Sequence, residues 1–245
     1  MALLKFGKAK KQEQKGRFIV IDGTDGSGKS TQTKLLMEEL KVNGYAFEVA
    51  DFPQYGQPSA VMVEQYLIEK KYGSVNPKAA SIFYAIDRFD ASFKIRSWLE
   101  EGKVVICNRY VTANAAHQGG KISDDTERIK FFRWLDNLEY EIFGIPKPDL
   151  NIILHVSAEI AQQLAKEKWK KQEAHMKGKQ TDLHEEDIEH LRNAEKVYLE
   201  IGKLFPNTKL IECMENDELL TVAEVSNKVW QLVRRMALKD LKQNS

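Results

Sequence analysis

The stretch from Phe18 to Lys34 constrains this chain more than any other. Phe18-Ile19-Val20-Ile21 is a continuous apolar run, as expected of a short strand covered on both faces. Gly23, four intervening residues, Gly28, Lys29 and Ser30 then form a G-x-x-x-x-G-K-S pattern. Leu35, Leu36, Met37 and Leu40 follow at helical spacing. Strand, glycine loop and helix, in that order, make a phosphate-binding P-loop. Glycines in the loop let the backbone turn tightly, so that its amide groups converge on an anion. The helix beginning near Gly28 adds the positive end of its dipole. The candidate residues for a nucleoside triphosphate are Gly23, Thr24, Asp25, Gly26 and Ser27 in the loop, with Gly28, Lys29, Ser30 and Thr31 at the helix start. Lys29 is expected to reach the β- and γ-phosphates, and the Ser30 hydroxyl to ligate Mg²⁺.

Asp25 is out of place in such a loop. A carboxylate pointing into a phosphate cradle repels the nucleotide. It is therefore expected to point outward, toward whatever accepts the phosphoryl group, and a sugar hydroxyl suits an acceptor-only group. The competing reading is an Asp that caps the following helix.

The 245 residues fit one large α/β domain better than two. Net charge is +1, which gives no general affinity for nucleic acid. No apolar run approaches 18 residues, so no membrane span is expected. The two cysteines, Cys107 and Cys213, sit at strand ends and read as buried small hydrophobes, with a cytoplasmic, reducing compartment as the default. Residues 1–16 carry five lysines and one acid and read as a flexible basic arm before a single domain at 17–245. A transit peptide would be rich in Arg and Ser, which this segment lacks.

Beyond the loop helix, Asn43-Gly44 marks a stop and Tyr45–Ala50 reads as a second strand. It runs into Phe52-Pro53-Gln54-Tyr55-Gly56, a turn at a carboxyl strand end, where open α/β sheets bind ligands. Phe52 and Tyr55 there suit either a substrate base or sugar, or closure of the core. A short helix is expected over 59–71. A long one over 77–101 carries Ile82, Ile86, Phe89 and Phe93 on one stripe. Tyr84 and Arg88 lie four apart, on one face, and suit either a stacked and hydrogen-bonded base or a surface residue beside a core residue. The third strand, Lys103–Cys107, leads directly into Asn108-Arg109-Tyr110. Arg109 is placed to hold a transferring phosphoryl group or the acceptor phosphate, or to form a structural salt bridge. Asn114, His117 and Gln118 make a polar cluster before Gly119-Gly120. A helix over 125–143, a fourth strand over 150–156, a helix over 157–171, a charged helix over 182–204, a fifth strand over 209–213 and a closing helix over 219–238 complete the chain. The basic segment at 168–182 reads as a lid or as a solvated linker. The alternation predicts a parallel sheet of about five strands with helices on both faces, the fold of P-loop nucleoside triphosphatases.

In this setting the chain resembles the thymidylate kinases, a family of nucleoside monophosphate kinases, from about Phe18 to about Leu232. Four blocks carry the resemblance: Ile21–Gln32 with its Asp25, Phe52–Gly56, Asp87-Arg88 with Tyr84, and Asn108-Arg109-Tyr110 through Asn114 and Ala116-His117-Gln118-Gly119. The resemblance implies transfer of phosphate from ATP to dTMP, with Mg²⁺, in a homodimer. It implies that Asp25 binds the 3′-hydroxyl, Tyr84 stacks on thymine, Arg88 donates to a base carbonyl and Asn114 reads the base edge. Arg109 would hold the dTMP phosphate, and Phe52 and Tyr55 would line the sugar pocket. Lys29, Arg109 and Asp25 are the candidate catalytic residues; His117 and Gln118 complete the substrate set.

Four departures stand out. Gly26 occupies the place where some relatives carry a helper arginine, and residues 157–191 contain no Arg, only lysines. Gln54 replaces the usual Arg of the second loop, Asn108 the usual Asp, and His117 a Tyr near the sugar. They keep open two alternatives: a kinase for another pyrimidine nucleotide or nucleoside, and a weakly catalytic nucleotide-binding dimer. A signalling GTPase is disfavoured, since Asn227-Lys228 is followed by Val229-Trp230 and not by a guanine-reading Asp.

Overall fold

A computed structural model describes residues 16–173, 187–216 and 218–241. The arm, except its last residue, and most of the proposed lid (174–182) lie outside the described residues. Five parallel strands form the main sheet: β1 (Arg17–Asp22), β2 (Phe47–Asp51), β3 (Val104–Asn108), β4 (Leu150–His155) and β5 (Thr208–Glu212), in the order β2-β3-β1-β4-β5. The second strand is thus shifted two residues along from its expected start. A two-residue antiparallel pair, β6 (Met214–Glu215) with β7 (Glu218–Leu219), precedes the last helix.

Strand alternation divides the core in two. Phe18 and Val20 of β1 join Val105 and Cys107 of β3 on one face, and Ile19 and Ile21 join Val104 and Ile106 on the other. The first face is covered by α3 (Pro77–Glu100), α4 (Val111–Gly119), α5 (Asp125–Asp136) and α7 (Ile188–Leu204), and the second by α1 (Lys29–Val42) and α8 (Val222–Met236). A short α2 (Val61–Leu67) packs beside α3, and α6 (Ala158–Glu173) follows β4. From the central β1 the chain fills one side of the sheet with β2 and β3, then crosses to the other side for β4 and β5. A crevice therefore opens at the carboxyl end of β1, where the glycine loop begins.

Three elements differ from expectation. Residues 111–119 form a helix in which every residue is buried, so no polar face advertised it. The helix at 125–143 stops being α-helical at Asp136 and continues as a π-helical turn, Asn137–Ile142. That turn buries Glu139 completely and leaves Ile142, which falls seven residues after the buried Leu135, 66% exposed. The stripe Ile82, Ile86, Phe89 and Phe93 faces outward, while the inner face of α3 carries Ala80, Ser81, Ala85, Asp87, Arg88 and Ser92. Small and polar residues there let α4 approach and give the crevice a polar wall.

Candidate active site

The crevice is a cleft of about 1110 Å³, enough for two nucleotide-sized ligands. One end is the glycine loop. Asp25, Gly26, Ser27, Gly28, Lys29, Ser30 and Thr31 all line it; Gly23 and Thr24 stand behind. Lys29 Nζ donates to the carbonyl oxygens of Gly23 (3.0 Å) and Thr24 (2.8 Å), which fixes the ammonium inside the loop. Gly28 is the N-cap of α1 in the left-handed region (φ 87°), with no side-chain cap, so Asp25 does not cap this helix. Asp22 is fully buried and anchors the start of the loop: it accepts from Gly23 N (3.0 Å), Thr112 Oγ1 (2.7 Å) and Tyr198 Oη (2.7 Å). The Thr24 and Ser27 hydroxyls are buried without a protein partner. Orphaned donors of this kind in a glycine-rich turn fit a bound polyphosphate.

Gly26 has a second constraint. Its φ is +89°, and a Cβ there would lie 1.9 Å from the carbonyl oxygen of Ala161 in α6. No side chain fits, so this chain cannot carry an arginine at this point of the loop. The first turn of α6 is held over the loop by Glu195 of α7, whose carboxylate takes Ala158 N (2.8 Å) and faces His155 Nε2 (2.9 Å).

Across the cleft, Arg109 leaves β3 with φ 63°, a strained value for a residue with a side chain. Its amide donates to Ile21 O (3.0 Å), and its Nη2 pairs with the Asp25 carboxylate. The Asp25 carboxylate, expected to point outward to the acceptor, is instead turned toward Arg109, and its Oδ1 also lies 3.9 Å from Lys29 Nζ. Burial opposes the Arg109 charge, yet Asp25, with smaller help from Tyr198, Asp22 and Tyr55, raises its pKa. Nη1 of Arg109 lies 3.3 Å from His117 Nε2, and His117 Nδ1 lies 3.1 Å from His190 Nε2. A guanidinium only donates, so His117 Nε2 accepts, its Nδ1–H donates to His190 Nε2, and both tautomers follow. Burial, together with Lys121, lowers the His190 pKa to about 4.

Beside β3, Asn108 Nδ2 donates to Asp51 Oδ1 at 2.7 Å. The carboxylate that Asn108 lacks is thus one hydrogen bond away, on the end of β2. Ser30, exposed at the start of α1, and Asp51 both line the cleft, and their oxygens are of the hard type that fits Mg²⁺ beside a triphosphate. Among the described residues, no group of three or more His, Cys, Asp or Glu is arranged to hold a metal by itself.

The far end of the cleft is lined by Phe52, Tyr55, Tyr84, Arg88, Asn114, His117 and Gln118. Gln54 does not line it; its amide N and side chain bond Asp87 instead (2.8 and 3.0 Å), pinning the second loop to α3 together with Ser59 Oγ (2.7 Å). Arg88 is buried and held by Glu139 through Nε and Nη2, each at 2.6 Å. Desolvation opposes its charge and Glu139 restores it, leaving the pKa raised. Asn114 Nδ2 donates to Ser81 O (3.1 Å) and Glu139 Oε1 (3.3 Å), while its Oδ1 is buried and unpartnered. Gln118 Oε1 accepts from Lys121 Nζ (3.0 Å), leaving its Nε2 in the same condition.

Sequence reasoning passed over Glu139, Asp51 and His190. Only Glu139 left a signal: it falls four residues after Leu135, on a buried stripe where a carboxylate needs a partner. It also missed an apolar lobe beside the loop, formed by Val156, Leu164, Ala165, Cys213, Leu220 and Val225.

A parallel sheet with a P-loop at its switch point, an Arg109–Asp25 ion pair across the cleft and a second polar pocket define a P-loop phosphotransferase with room for two nucleotides. Known proteins agree. The model of the thymidylate kinase family matches residues 21–225. The thymidylate kinase of Exiguobacterium sp. is 30% identical over 206 residues, covering 83% of this chain and 92% of its own. That of Plasmodium falciparum is 30% identical over 222 residues, covering 87% and 92%. The solved thymidylate kinase of Candida albicans shares the fold, with a TM-score of 0.67 at 23% identity, covering 91% of this chain and 93% of that one. The chain belongs to the thymidylate kinase family.

Proposed function

We propose that the protein transfers the γ-phosphoryl group of ATP to dTMP, giving ADP and dTDP. The observation that carries the acceptor is the polarity of the far pocket. Asn114 offers an acceptor, Oδ1, and Arg88 and Gln118 offer donors, all on buried side chains. Thymine presents the complement: an N–H between two carbonyls. Tyr84 supplies a ring for stacking and Phe52 and Tyr55 the sugar wall.

The chemistry is positioning and charge stabilisation. The ionised dTMP phosphate needs no general base. One of its oxygens forms the new bond to Pγ as the bond from Pγ to the β,γ-bridging oxygen breaks. Lys29 and the loop amides hold the β- and γ-oxygens, and Arg109 holds the acceptor phosphate. Ser30, with Asp51 also lining the cleft, would hold Mg²⁺, which would supply charge neutralisation on the triphosphate. Asp25 receives the sugar hydroxyl and keeps Arg109 charged. With Gly26 closed to any side chain, the further positive charge used by relatives comes from lysines of α6 or the lid at about 168–182. The apolar lobe at Val156, Leu164 and Cys213 takes the adenine of ATP.

The protein is taken to be a cytoplasmic homodimer. Its two free thiols, Cys107 and Cys213, are buried and suit a reducing compartment. The outward stripe of α3, with Phe89 packed edge-on to Phe93 (5.3 Å), suits a helix of a second copy. Phe89→Asp is expected to turn a dimer in sedimentation into a monomer. His117, tied back to Arg109 and His190, favours a second reading in which the sugar pocket also admits a ribonucleotide. A coupled ADP-release assay with dTMP, dUMP, dCMP, UMP and thymidine tests both: dTMP is expected to rank first, and no turnover with dTMP overturns the proposal.

A further inference from the structure

Glu139 is a fully buried carboxylate in a π-helical turn, set behind the cleft wall, and the reaction has no use for it as a base. Its contacts all serve the far end of the cleft. Both oxygens take the Arg88 fork, through Nε and Nη2 at 2.6 Å, which leaves Nη1 as the guanidinium group without a hydrogen bond among the described residues. Oε1 also takes Asn114 Nδ2 at 3.3 Å. The second neighbour of that amide, Ser81 O at 3.1 Å, is likewise an acceptor. Between a carboxylate and a carbonyl, neither of which can donate, the Asn114 amide has one allowed orientation. Its Oδ1 is turned away from both, buried and unpartnered.

We propose that Glu139 is a positioning residue for base selectivity: by locking the Arg88 fork and the Asn114 flip, it sets a donor beside an acceptor, to which Gln118 Nε2, turned by Lys121, adds a second donor. This rests on the reading of the far end of the cleft as the acceptor-base site. The pattern selects a base with an N–H between two carbonyls, as in thymine and uracil. Cytosine, with a bare ring nitrogen beside an amino group, meets acceptor against acceptor and donor against donor. Each mismatch leaves buried groups unpaired on both sides. Stability alone does not require the pair, since a buried ion pair is often replaceable by apolar residues without loss.

The test uses Glu139→Gln in the full chain. A glutamine amide at the Oε1 position sets its N–H against Asn114 Nδ2 and Arg88 Nη2, so the Arg88 fork is weakened and Ser81 O alone opposes the flip of Asn114. The ratio of kcat/KM for dUMP over dCMP is expected to fall about tenfold or more, with KM for dTMP raised and KM for ATP unchanged. The ratio is independent of how much protein is folded, so a merely structural role leaves it untouched. The double variant Glu139→Gln/Asn114→Asp restores an acceptor in the cleft, with the introduced glutamine amide donating to the new carboxylate, and is expected to regain most of the ratio. If Glu139→Gln does not fold, Glu139→Asp, which draws the carboxylate back by one methylene, is read in the same way. An unchanged ratio, or a double variant no more selective than the single one, overturns the inference. Calorimetry separates this from the parent reading. If the native protein turns over no pyrimidine monophosphate, the kinase assignment fails, while the dUMP-to-dCMP binding ratio in native and variant protein still decides the role of Glu139. A native protein that prefers dCMP, or binds neither, overturns it outright.

Discussion

The two ends of the cleft are built by opposite means. The phosphate end is made of consecutive backbone: Gly23 to Thr31 supplies a turn, a helix start and an ammonium held by two carbonyls of the same loop. The base end is made of side chains from two helices, α3 and α4, the second loop and a π-helical turn, with Arg88 and Asn114 joined through one buried carboxylate. The first suits any polyphosphate, because backbone amides carry no information about what lies beyond it. The second, under the proposed function, would read one edge of one base, because Arg88, Asn114 and Gln118 are each oriented by a neighbour that can only accept or only donate. Binding strength and selectivity are thereby placed in different parts of the molecule and are separable by mutation.

The largest break of that comparison is Lys29→Ala. It removes the ammonium that meets the transferring group and leaves the base pocket intact. Turnover with dTMP is expected to fall about 10²–10³-fold, the cost of removing one charge-stabilising donor. Calorimetric dTMP affinity should stay within a few-fold. Turnover unaffected by Lys29→Ala would instead support a nucleotide-binding dimer with little catalysis of its own. A smaller break is Gly26→Ala. The left-handed backbone at φ +89° and the Ala161 carbonyl 1.9 Å from the added Cβ both oppose it. A loss of about 2–4 kcal/mol in unfolding free energy is expected from strain and overpacking together, read from denaturant melts. Gly56, at φ +85° with nothing within 4 Å of an added Cβ, is the control. Gly56→Ala carries the strain term alone, so equal losses at the two sites would show that α6 does not press on the loop.

Legibility in the sequence follows the same division. The P-loop was readable because its constraint is local: the glycines, Lys29 and Ser30 lie within eight consecutive residues. The sheet was readable because its strands are apolar runs bounded by turns. The second loop and Arg109 were readable because they follow strands directly. What was lost is what depends on distant partners. Gln54 looked like a missing phosphate contact, yet it bonds Asp87, thirty-three residues away. Asn108 looked like a lost anion, yet Asp51 of the neighbouring strand stands at 2.7 Å. The outward turn of the α3 stripe could not be read either. Periodicity tells which residues share a face, but not whether that face meets this chain or another copy. In each case the missing fact is a pairing across the sheet or between helices.

The smallest effect sharpens the comparison by pH, since each side of the cleft has a histidine displaced in the opposite direction. His190, behind the acceptor side, is lowered from 6.5 to about 4 by burial and by Lys121, against Asp187 and Asp25. Between those values the unfolded chain binds a proton that the folded one refuses. This contribution to stability is therefore present above pH 6.5 and is lost as pH falls toward 4. Going from pH 7.5 to 5.5 should cost about 1 kcal/mol through this group. His155, under α6 on the ATP side, is raised by its hydrogen bond to Glu195, against burial and with help from Glu212. Its contribution is present below pH 6.5 and is lost as pH rises through its raised value. The two slopes have opposite signs and meet near pH 6.5. Thermal melts across about pH 5.5–8 should give a shallow maximum there. His190→Gln should flatten only the acid limb and His155→Gln only the alkaline one. An acid limb that survives in His190→Gln would mean that groups other than this histidine govern it, and the opposition between the two sides of the cleft would be lost.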